Sequence, residues 1–204
     1  MKIKFCGAAE GVTGSCHLIT TGTDETPLRI LLDCGELQGS KTIDAMNLEP
    51  FPFDPADVDF VILSHAHIDH CGRLPLLLKR GFEGKIFCTD ATSDLLAVML
   101  RDSAHIHEQE AEWKSRKELR SGRPAVEPLY TMKDAEEVLK RAIPIMYDEL
   151  VEPVPDVKFV LNDAGHIVGS AIIELWITEG SDVSKLVFSG DLGQHDRPML
   201  EDPT

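Results

Sequence analysis

The strongest constraint on the fold is a continuous apolar run that ends in a cluster of histidines. Residues 59–65 read DFVILSH, and AHIDHCG follows at 66–72. A short apolar run that is bounded by polar residues is typical of a buried strand. Because polar side chains come directly after it, we expect the carboxyl end of this strand to open into a functional site.

The cluster itself consists of His65, His67, Asp69 and His70, which fall within six positions. Side chains alternate along an extended segment, so His65 and His67 point the same way and can bind one ion. Asp69 and His70 follow where the chain turns toward the next helix, and they can hold a second ion. Imidazole and carboxylate ligands without thiolate favour zinc, with manganese and iron behind.

Two further candidate ligands lie at strand ends elsewhere in the chain. His166 stands in NDAGHIVGSA after the predicted strand 157–163, and Asp191 ends the predicted strand 185–191. Asp33, in LLDCG, is a third acid at a strand end. Taken alone, each is an ordinary polar or turn residue. Beside the histidine cluster they become candidates, because ligands from separate strand ends can converge on one site.

The remaining runs predict a layered α/β fold, with sheets packed face to face and helices outside. Two groups of strands alternate with helices, and a long connection covers residues 36–57. We predict helices over 73–80, 90–120 and 131–142, the last capped by Thr131. The predicted strands are 2–6, 16–21, 28–35, 59–65, 85–89, 143–150, 157–163, 170–178 and 185–191.

Length and composition indicate one globular domain. The chain has 204 residues, of which 43% are hydrophobic and 27% charged,. No apolar run approaches the roughly 18 residues that a membrane helix needs, and the start MKIKFCGAAEG lacks the core of a signal peptide. The five scattered cysteines include no C-x-x-C pair, which indicates a reducing compartment,. We therefore expect a cytoplasmic protein that does not enter membranes.

The net charge of −15 limits the possible partners. This excess argues by itself against nucleic acid, since phosphate groups are bound by Lys and Arg. Carboxylates that hold cations account for only part of it. If the protein acts on nucleic acid, its basic surface is local or lies elsewhere.

The other histidines and the nearby cysteine have simpler interpretations. His17 lies in a strand and is expected to be structural. His105 and His107 are two apart on a polar helix and do not share a face, so we expect both to be solvated. His195 is expected in a surface loop. Cys71 follows the cluster directly, but we do not expect a thiolate ligand there.

The motifs resemble those of the metallo-β-lactamase superfamily. HAHIDH at 65–70 matches its H-x-H-x-D-H signature, and LLDCG, GHIVGSA and SGDLG match the flanking motifs in order. The finer detail resembles one branch, through FCGAAEGVTGSCHL, HAHIDHCGRLPLL, DSAHIHEQEAE and AGHIVGSAIIEL. These segments are similar to the β-CASP RNA-processing nucleases, which are related to the cleavage and polyadenylation endonuclease and to prokaryotic RNases. The resemblance covers nearly the whole chain.

The resemblance implies an αββα sandwich with a di-zinc site between the sheet edges. Asp33 would orient ligands from behind, and Asp191 would bridge the two ions. Carried over by motif, the ligands of the first zinc would be His65, His67 and His166, and those of the second Asp69 and His70.

Family members normally continue into an inserted β-CASP domain and then complete the sheet. That later part supplies a final histidine for the second zinc and a histidine thought to assist the leaving group, and no residue of this chain matches either. Residues 1–204 are therefore expected to be the N-terminal portion of a metallo-β-lactamase-like domain, with a helical insertion at about 90–142 and an incomplete C-terminus. Such a fragment is expected to have little activity alone.

The expected function is zinc-dependent hydrolysis of RNA, with single-stranded RNA as the partner. A metal-activated bridging hydroxide would attack phosphorus in line, and Asp69 and Asp191 would be the catalytic acids. A small thioester, lactone or β-lactam substrate is the first alternative; the acidic charge favours it, whereas the resemblance of GAAEGVTGS and GRLPLL opposes it. A non-catalytic scaffold subunit is the second alternative. An unfinished sheet also exposes edges, which makes a homodimer possible.

Overall fold

The structure is a computed structural model that describes residues 1–9, 11–23 and 25–204. Its ten strands form two sheets. The six strands of the first sheet are, in spatial order, β1 (Lys2–Phe5), β2 (His17–Gly22), β3 (Pro27–Leu32), β4 (Phe60–Ile62), β5 (Lys85–Thr89) and β6 (Ala142–Ile145). The four strands of the second sheet are β7 (Val151–Val154), β8 (Val157–Asp163), β9 (Ala171–Glu179) and β10 (Asp182–Phe188). Their spatial order is β10-β9-β8-β7.

The first sheet changes from antiparallel to parallel pairing at β3. Strands β1 to β3 form antiparallel pairs, whereas β3 to β6 pair in parallel. All three residues of β4 are buried, as expected for a central parallel strand with both faces covered,. The carboxyl ends of β3 and β4 therefore lie side by side at one edge of the sheet. The second sheet is antiparallel throughout.

Five α-helices lie in the described residues, and all of them connect strands of the first sheet. Helix α4 connects β5 to α5, and both helices precede β6. The side chain of Thr131 forms a capping box with Asp134 at the start of α5, which confirms the predicted cap,. The helices are α1 (Lys41–Ala45), α2 (Ile68–Cys71), α3 (Leu74–Lys79), α4 (Asp90–Arg120) and α5 (Met132–Leu139).

Two hydrophobic clusters hold the layers together, one on each face of the first sheet. Side chains alternate along β3 and β4, so each strand contributes to both clusters. Leu31 and Val61 pack under the helices, whereas Ile30, Leu32 and Ile62 face the second sheet. Burial of such side chains stabilises the fold by about 1.5–3 kcal/mol each. The arrangement is thus helices, first sheet, second sheet.

The predicted α/β sandwich is confirmed, with three of its four layers present in the described part of the chain. The outward side chains Val183, Lys185 and Val187 of β10 are exposed, so the helices described here cover the first sheet and leave that strand open. Among residues 1–9, 11–23 and 25–204, no helix combines the length and the apolar character required to cross a bilayer.

Most predicted elements are found with small shifts at their ends, but one strand is wrong. The helix over 90–120 is confirmed at both ends. The run 143–150 was expected to be one strand, yet β6 ends at Ile145 and the backbone turns through Asp148, whose φ is 60°. This turn takes the chain from the first sheet to the second, whose first strand, β7, begins only at Val151. A short helix, α2, also separates the strand before it from α3.

Candidate metal centre

The candidate ligands lie at one edge of both sheets, in the loops that follow β3, β4, β8 and β10. His65 follows β4, and His67 directly precedes α2 in an extended conformation. Asp69 and His70 lie inside α2, so the turn of this short helix brings them back toward His65. Asp191 comes three residues after β10 ends. The sequence therefore brings the ligands together through strand ends that meet at the same edge.

Four side chains form a compact group. His65, His67, His166 and Asp191 each offer one ligand atom, and all four atoms lie within 4.8 Å of one another. His67 Nδ1 is 3.0 Å from His65 Nε2 and 3.2 Å from His166 Nε2. Asp191 Oδ2 lies 3.5 Å from His166 Nε2 and 4.0 Å from His65 Nε2.

These separations suit one divalent ion. Tetrahedral bonds of roughly 2.0–2.2 Å place ligand atoms about 3.4 Å apart, close to the distances found here. Three imidazoles and a carboxylate are donors that transition-metal ions accept. The residues present therefore fit a bound metal, and the group can be called the first ion-binding group.

A second, looser group lies on the other side of Asp191. His70 Nε2 is 3.3 Å from Asp191 Oδ1 and 3.9 Å from Asp69 Oδ2. Asp191 therefore presents Oδ2 to the first group and Oδ1 to this second ion-binding group. The two oxygens of this carboxylate are therefore each within 4 Å of a different set of histidines.

Asp33 orients the second ion-binding group through its contact with His70. The residue is fully buried and has a φ of 57°, which turns the chain out of β3. Its Oδ2 lies 2.7 Å from His70 Nδ1 and also accepts hydrogen bonds from the hydroxyls of Ser15 and Ser64, at 3.0 and 2.9 Å. Its Oδ1 accepts from the Ser64 amide. The carboxylate therefore fixes the ring of His70 and directs Nε2 toward Asp69 and Asp191.

The electrostatic environment differs between the two groups. Burial, together with the neighbouring histidines, lowers the pKa of His65 to about 2, so this imidazole is neutral and its lone pair is free to bind a cation,. Burial would also lower the pKa of His70, but the hydrogen bond to Asp33 and the carboxylates nearby raise it above its ordinary value. The site thus places neutral donors beside concentrated negative charge, which favours a divalent cation.

Close backbone contacts hold the ligand loops in place, and two of them require glycine. A Cβ on Gly35 would lie 1.6 Å from the carbonyl oxygen of Asp69, and one on Gly193 would lie 1.7 Å from that of Gly165. The Ser15 amide donates a hydrogen bond to the same Asp69 carbonyl. The sequence signal for these contacts is the run of glycines beside each motif, which sequence reasoning interpreted only as turns.

The other predicted positions agree with the structure, except for His107. His17 lies between the rings of Phe5 and Phe188, in agreement with a structural role, and His105 and His195 are exposed. Cys71 is fully buried and its Sγ donates a hydrogen bond to the carbonyl oxygen of Ala66, so it lies outside the group of candidate ligands.

The prediction that His107 is solvated is wrong. Its Nε2 lies 2.9 Å from Glu36 Oε1, and its ring packs on Tyr130 with centroids 4.8 Å apart. The side chain of Glu36 is only 10% exposed. The spacing argument considered the surface of helix α4 alone, whereas the loop after β3 passes over this part of the helix.

The two face-to-face sheets and the His/Asp cluster at their edge define the metallo-β-lactamase class of fold. The chain belongs to the β-lactamase superfamily: the profile of the beta-lactamase superfamily domain matches residues 28–202. Among solved structures, a metallo-β-lactamase with the HARLDQ motif from Cronobacter sakazakii superposes with a TM-score of 0.53. It is 17% identical, and the match covers 92% of this chain and 56% of that one, so it bears on the fold alone.

Two relatives are more similar to this chain in sequence than that solved structure is. A ribonuclease from Thermus thermophilus, TTHA0252, is 37% identical over the whole chain, which covers 41% of that protein. The transcription termination factor FttA of Methanocaldococcus jannaschii is 32% identical over 98% of the chain, which covers 28% of that protein. The chain thus spans less than half the length of these relatives. The predicted resemblance to the superfamily is confirmed, and these names agree with its RNA-processing branch.

Proposed function

We propose that the protein hydrolyses phosphodiester bonds of RNA with the help of two zinc ions. The observation that carries this proposal is the position of Asp191, whose two oxygens face two separate ligand groups. Such a carboxylate suits a binuclear centre better than a single ion. Histidine and carboxylate donors without thiolate favour zinc over manganese and iron.

Two zinc ions in these groups would supply a hydroxide nucleophile at neutral pH and offset charge on the phosphate oxygens. His65, His67 and His166 would hold one ion, and Asp69 and His70 the other, with Asp191 shared between them. Asp69, whose side chain is 21% exposed, also has access to solvent at the mouth of the site. It would orient the attacking hydroxide as well as bind the ion.

The choice of RNA is supported by the names of the relatives. One is named a ribonuclease and others are named transcription termination factors. The proposed substrate is single-stranded RNA. The net charge of −15 means that the bound cations and local basic residues must supply the attraction for phosphate,.

We also propose a cytoplasmic protein that is active only within a longer polypeptide. The five thiols are unpaired, which suits a reducing compartment,. The named relatives are more than twice as long as this chain, so the final ligand of the second ion would come from further sequence. A homodimer could form through the exposed edge strand β1, all four residues of which are exposed,.

The test measures cleavage of end-labelled single-stranded RNA by the longer reading frame and by the 204-residue chain, with and without a chelator. We expect zinc-restored cleavage by the longer protein and little by the chain alone. Asp191→Asn should abolish cleavage, whereas the control Asp182→Asn, at the far end of β10, should leave it unchanged. Metal-independent cleavage would contradict the proposal. Turnover of nitrocefin or a thioester instead of RNA would indicate a small substrate, and absence of bound zinc a scaffold.

A further inference from the structure

We propose that the hydroxyls of Thr89 and Thr92 act as positioning groups for His166. Both threonines lie at the start of α4, outside the candidate metal centre. They hold the segment 164–170, named here the His166 loop, which connects β8 to β9. This inference rests on the proposed role of His166 as a metal ligand.

The contact between the threonines and the loop is short and buried. Thr89 Oγ1 and Thr92 Oγ1 donate hydrogen bonds to the carbonyl oxygen of Gly169, at 2.7 and 2.8 Å. The two threonines are 3% and 0% exposed. Because a carbonyl oxygen has two lone pairs, this pair of donors satisfies it completely. Nothing but glycine fits there, since a Cβ at Gly169 would lie 2.6 Å from the Thr92 amide nitrogen, and φ is +85°.

Ser170 carries the constraint from Gly169 to His166. This serine is fully buried, and its Oγ accepts hydrogen bonds from the amides of His166 and Ile167, at 3.0 and 3.2 Å. Its own amide donates to the carbonyl of Ile167. Tyr147 donates from its hydroxyl to the carbonyl of Ser170. A displacement of the Gly169 carbonyl therefore moves the group that holds the His166 backbone.

The anchor itself is rigid. Thr89 is the last residue of β5, pairs with Ile145 of β6 and caps α4 by accepting from the Thr92 amide. The buried residues Leu96 and Leu100 fix the same helix in the core. The threonines therefore connect the His166 loop, which belongs to the second sheet, to the first sheet that carries the other histidines. Direct hydrogen-bond partners of a ligand side chain typically change metal affinity by about 10- to 100-fold when they are removed. The threonines act through the backbone of the loop, so we expect an effect at the lower end of that range.

Thr92 is the better residue to change, because Thr89 also caps the helix. Thr92→Val removes the hydroxyl and keeps the shape, whereas Thr92→Ser keeps the hydroxyl. Thr21→Val is the matched control: it removes a buried hydroxyl that bonds to Glu179 at the opposite end of the sheet. Two quantities are measured, amide hydrogen exchange in the metal-free protein and the zinc dissociation constant by competition with a chromophoric chelator.

We expect Thr92→Val to accelerate exchange of the amides of His166, Ile167 and Ser170 about tenfold, and to weaken zinc binding about tenfold. Thr92→Ser and Thr21→Val should match the parent in both measurements. Parent-like exchange and affinity in Thr92→Val, or equal losses in Thr92→Ser, would overturn the proposal. A parent that binds no zinc would refute the metal centre instead, while the exchange rates still decide whether the threonines hold the loop.

Discussion

Replacing Asp33 by asparagine is expected to reverse the tautomer of His70. In the structure the carboxylate faces His70 Nδ1 at 2.7 Å, so in the neutral imidazole the proton lies on Nδ1 and Nε2 is free,. Asparagine has a single acceptor oxygen, which the Ser64 amide occupies, because that amide donates to Oδ1 at 2.8 Å. The asparagine NH2 then faces His70 and donates to Nδ1. The imidazole proton must move to Nε2, the atom that faces Asp69 and Asp191.

The size of the effect follows from the bonds that change. One hydrogen bond to a buried charge is lost, which costs about 1.5–3 kcal/mol of unfolding free energy. The second N–H of the new amide can donate to the Ser15 hydroxyl, and the Ser64 hydroxyl also lies 3.0 Å from His65 Nδ1, so the two serines add little. Zinc affinity of the second ion-binding group should fall by about 10- to 100-fold, since the misplaced proton must be displaced before the ion binds.

Urea unfolding of the metal-free protein measures the first quantity, and zinc competition the second. Nitrogen chemical shifts of the His70 ring report its tautomer directly. Asp54→Asn is the control, because Asp54 is an exposed cap whose oxygen accepts from the Ala56 amide, and asparagine caps equally well,. Unchanged zinc affinity together with a proton still on Nδ1 would refute the reasoning.

Three further predictions concern stability. Gly35→Ala should destabilise the protein by more than about 3 kcal/mol in urea unfolding, because the new methyl group overlaps a backbone carbonyl,. Gly11→Ala should be neutral, because a methyl group at Gly11 meets no atom within 4 Å. The metal-free protein should lose stability as the pH falls below 6.5, because the pKa of His65 is lowered in the folded state and the unfolded chain takes up the proton first,. The contribution of His65 to this loss is at most about 1.4 kcal/mol of unfolding free energy per pH unit. His65→Gln should make the dependence of stability on pH less steep. His107→Ala should cost about 1–3 kcal/mol by leaving a buried carboxylate unpaired, and His105→Ala should change little,. An equal effect of both histidine substitutions would contradict the buried pair.

The sequence was sufficient to nominate the candidate ligands that the structure brings together, because metal chemistry restricts which residue types can serve,. His65 and His67 have a spacing that only an extended segment turns into a shared site, and Asp191 follows an obvious strand. The order of the elements was likewise readable from the apolar runs. What failed was the assignment of one continuous run, 143–150, to a single strand, since hydrophobicity does not show where a chain passes from one sheet to the next.

The supports of the site could not be predicted in the same way. Glu36 meets His107 across 71 positions, and Thr92 meets Gly169 across 77. Neither contact leaves a periodic pattern in the sequence. Helix spacing indicates which residues share a face, but it is silent about the loop that passes over that face.

The ligand residues were easier to predict than their supports because the site is divided between the two sheets. His65 follows a strand of the first sheet, whereas His166 and Asp191 follow strands of the second, so the proposed ion would join both layers. Metal-ligand distances tolerate errors of about 0.2 Å, which is less than the typical shift of a loop. The layers must therefore be fixed to one another before the ion binds. The glycine contacts and the two threonine hydroxyls provide that fixation, and they depend on the folded arrangement of backbones rather than on any local motif.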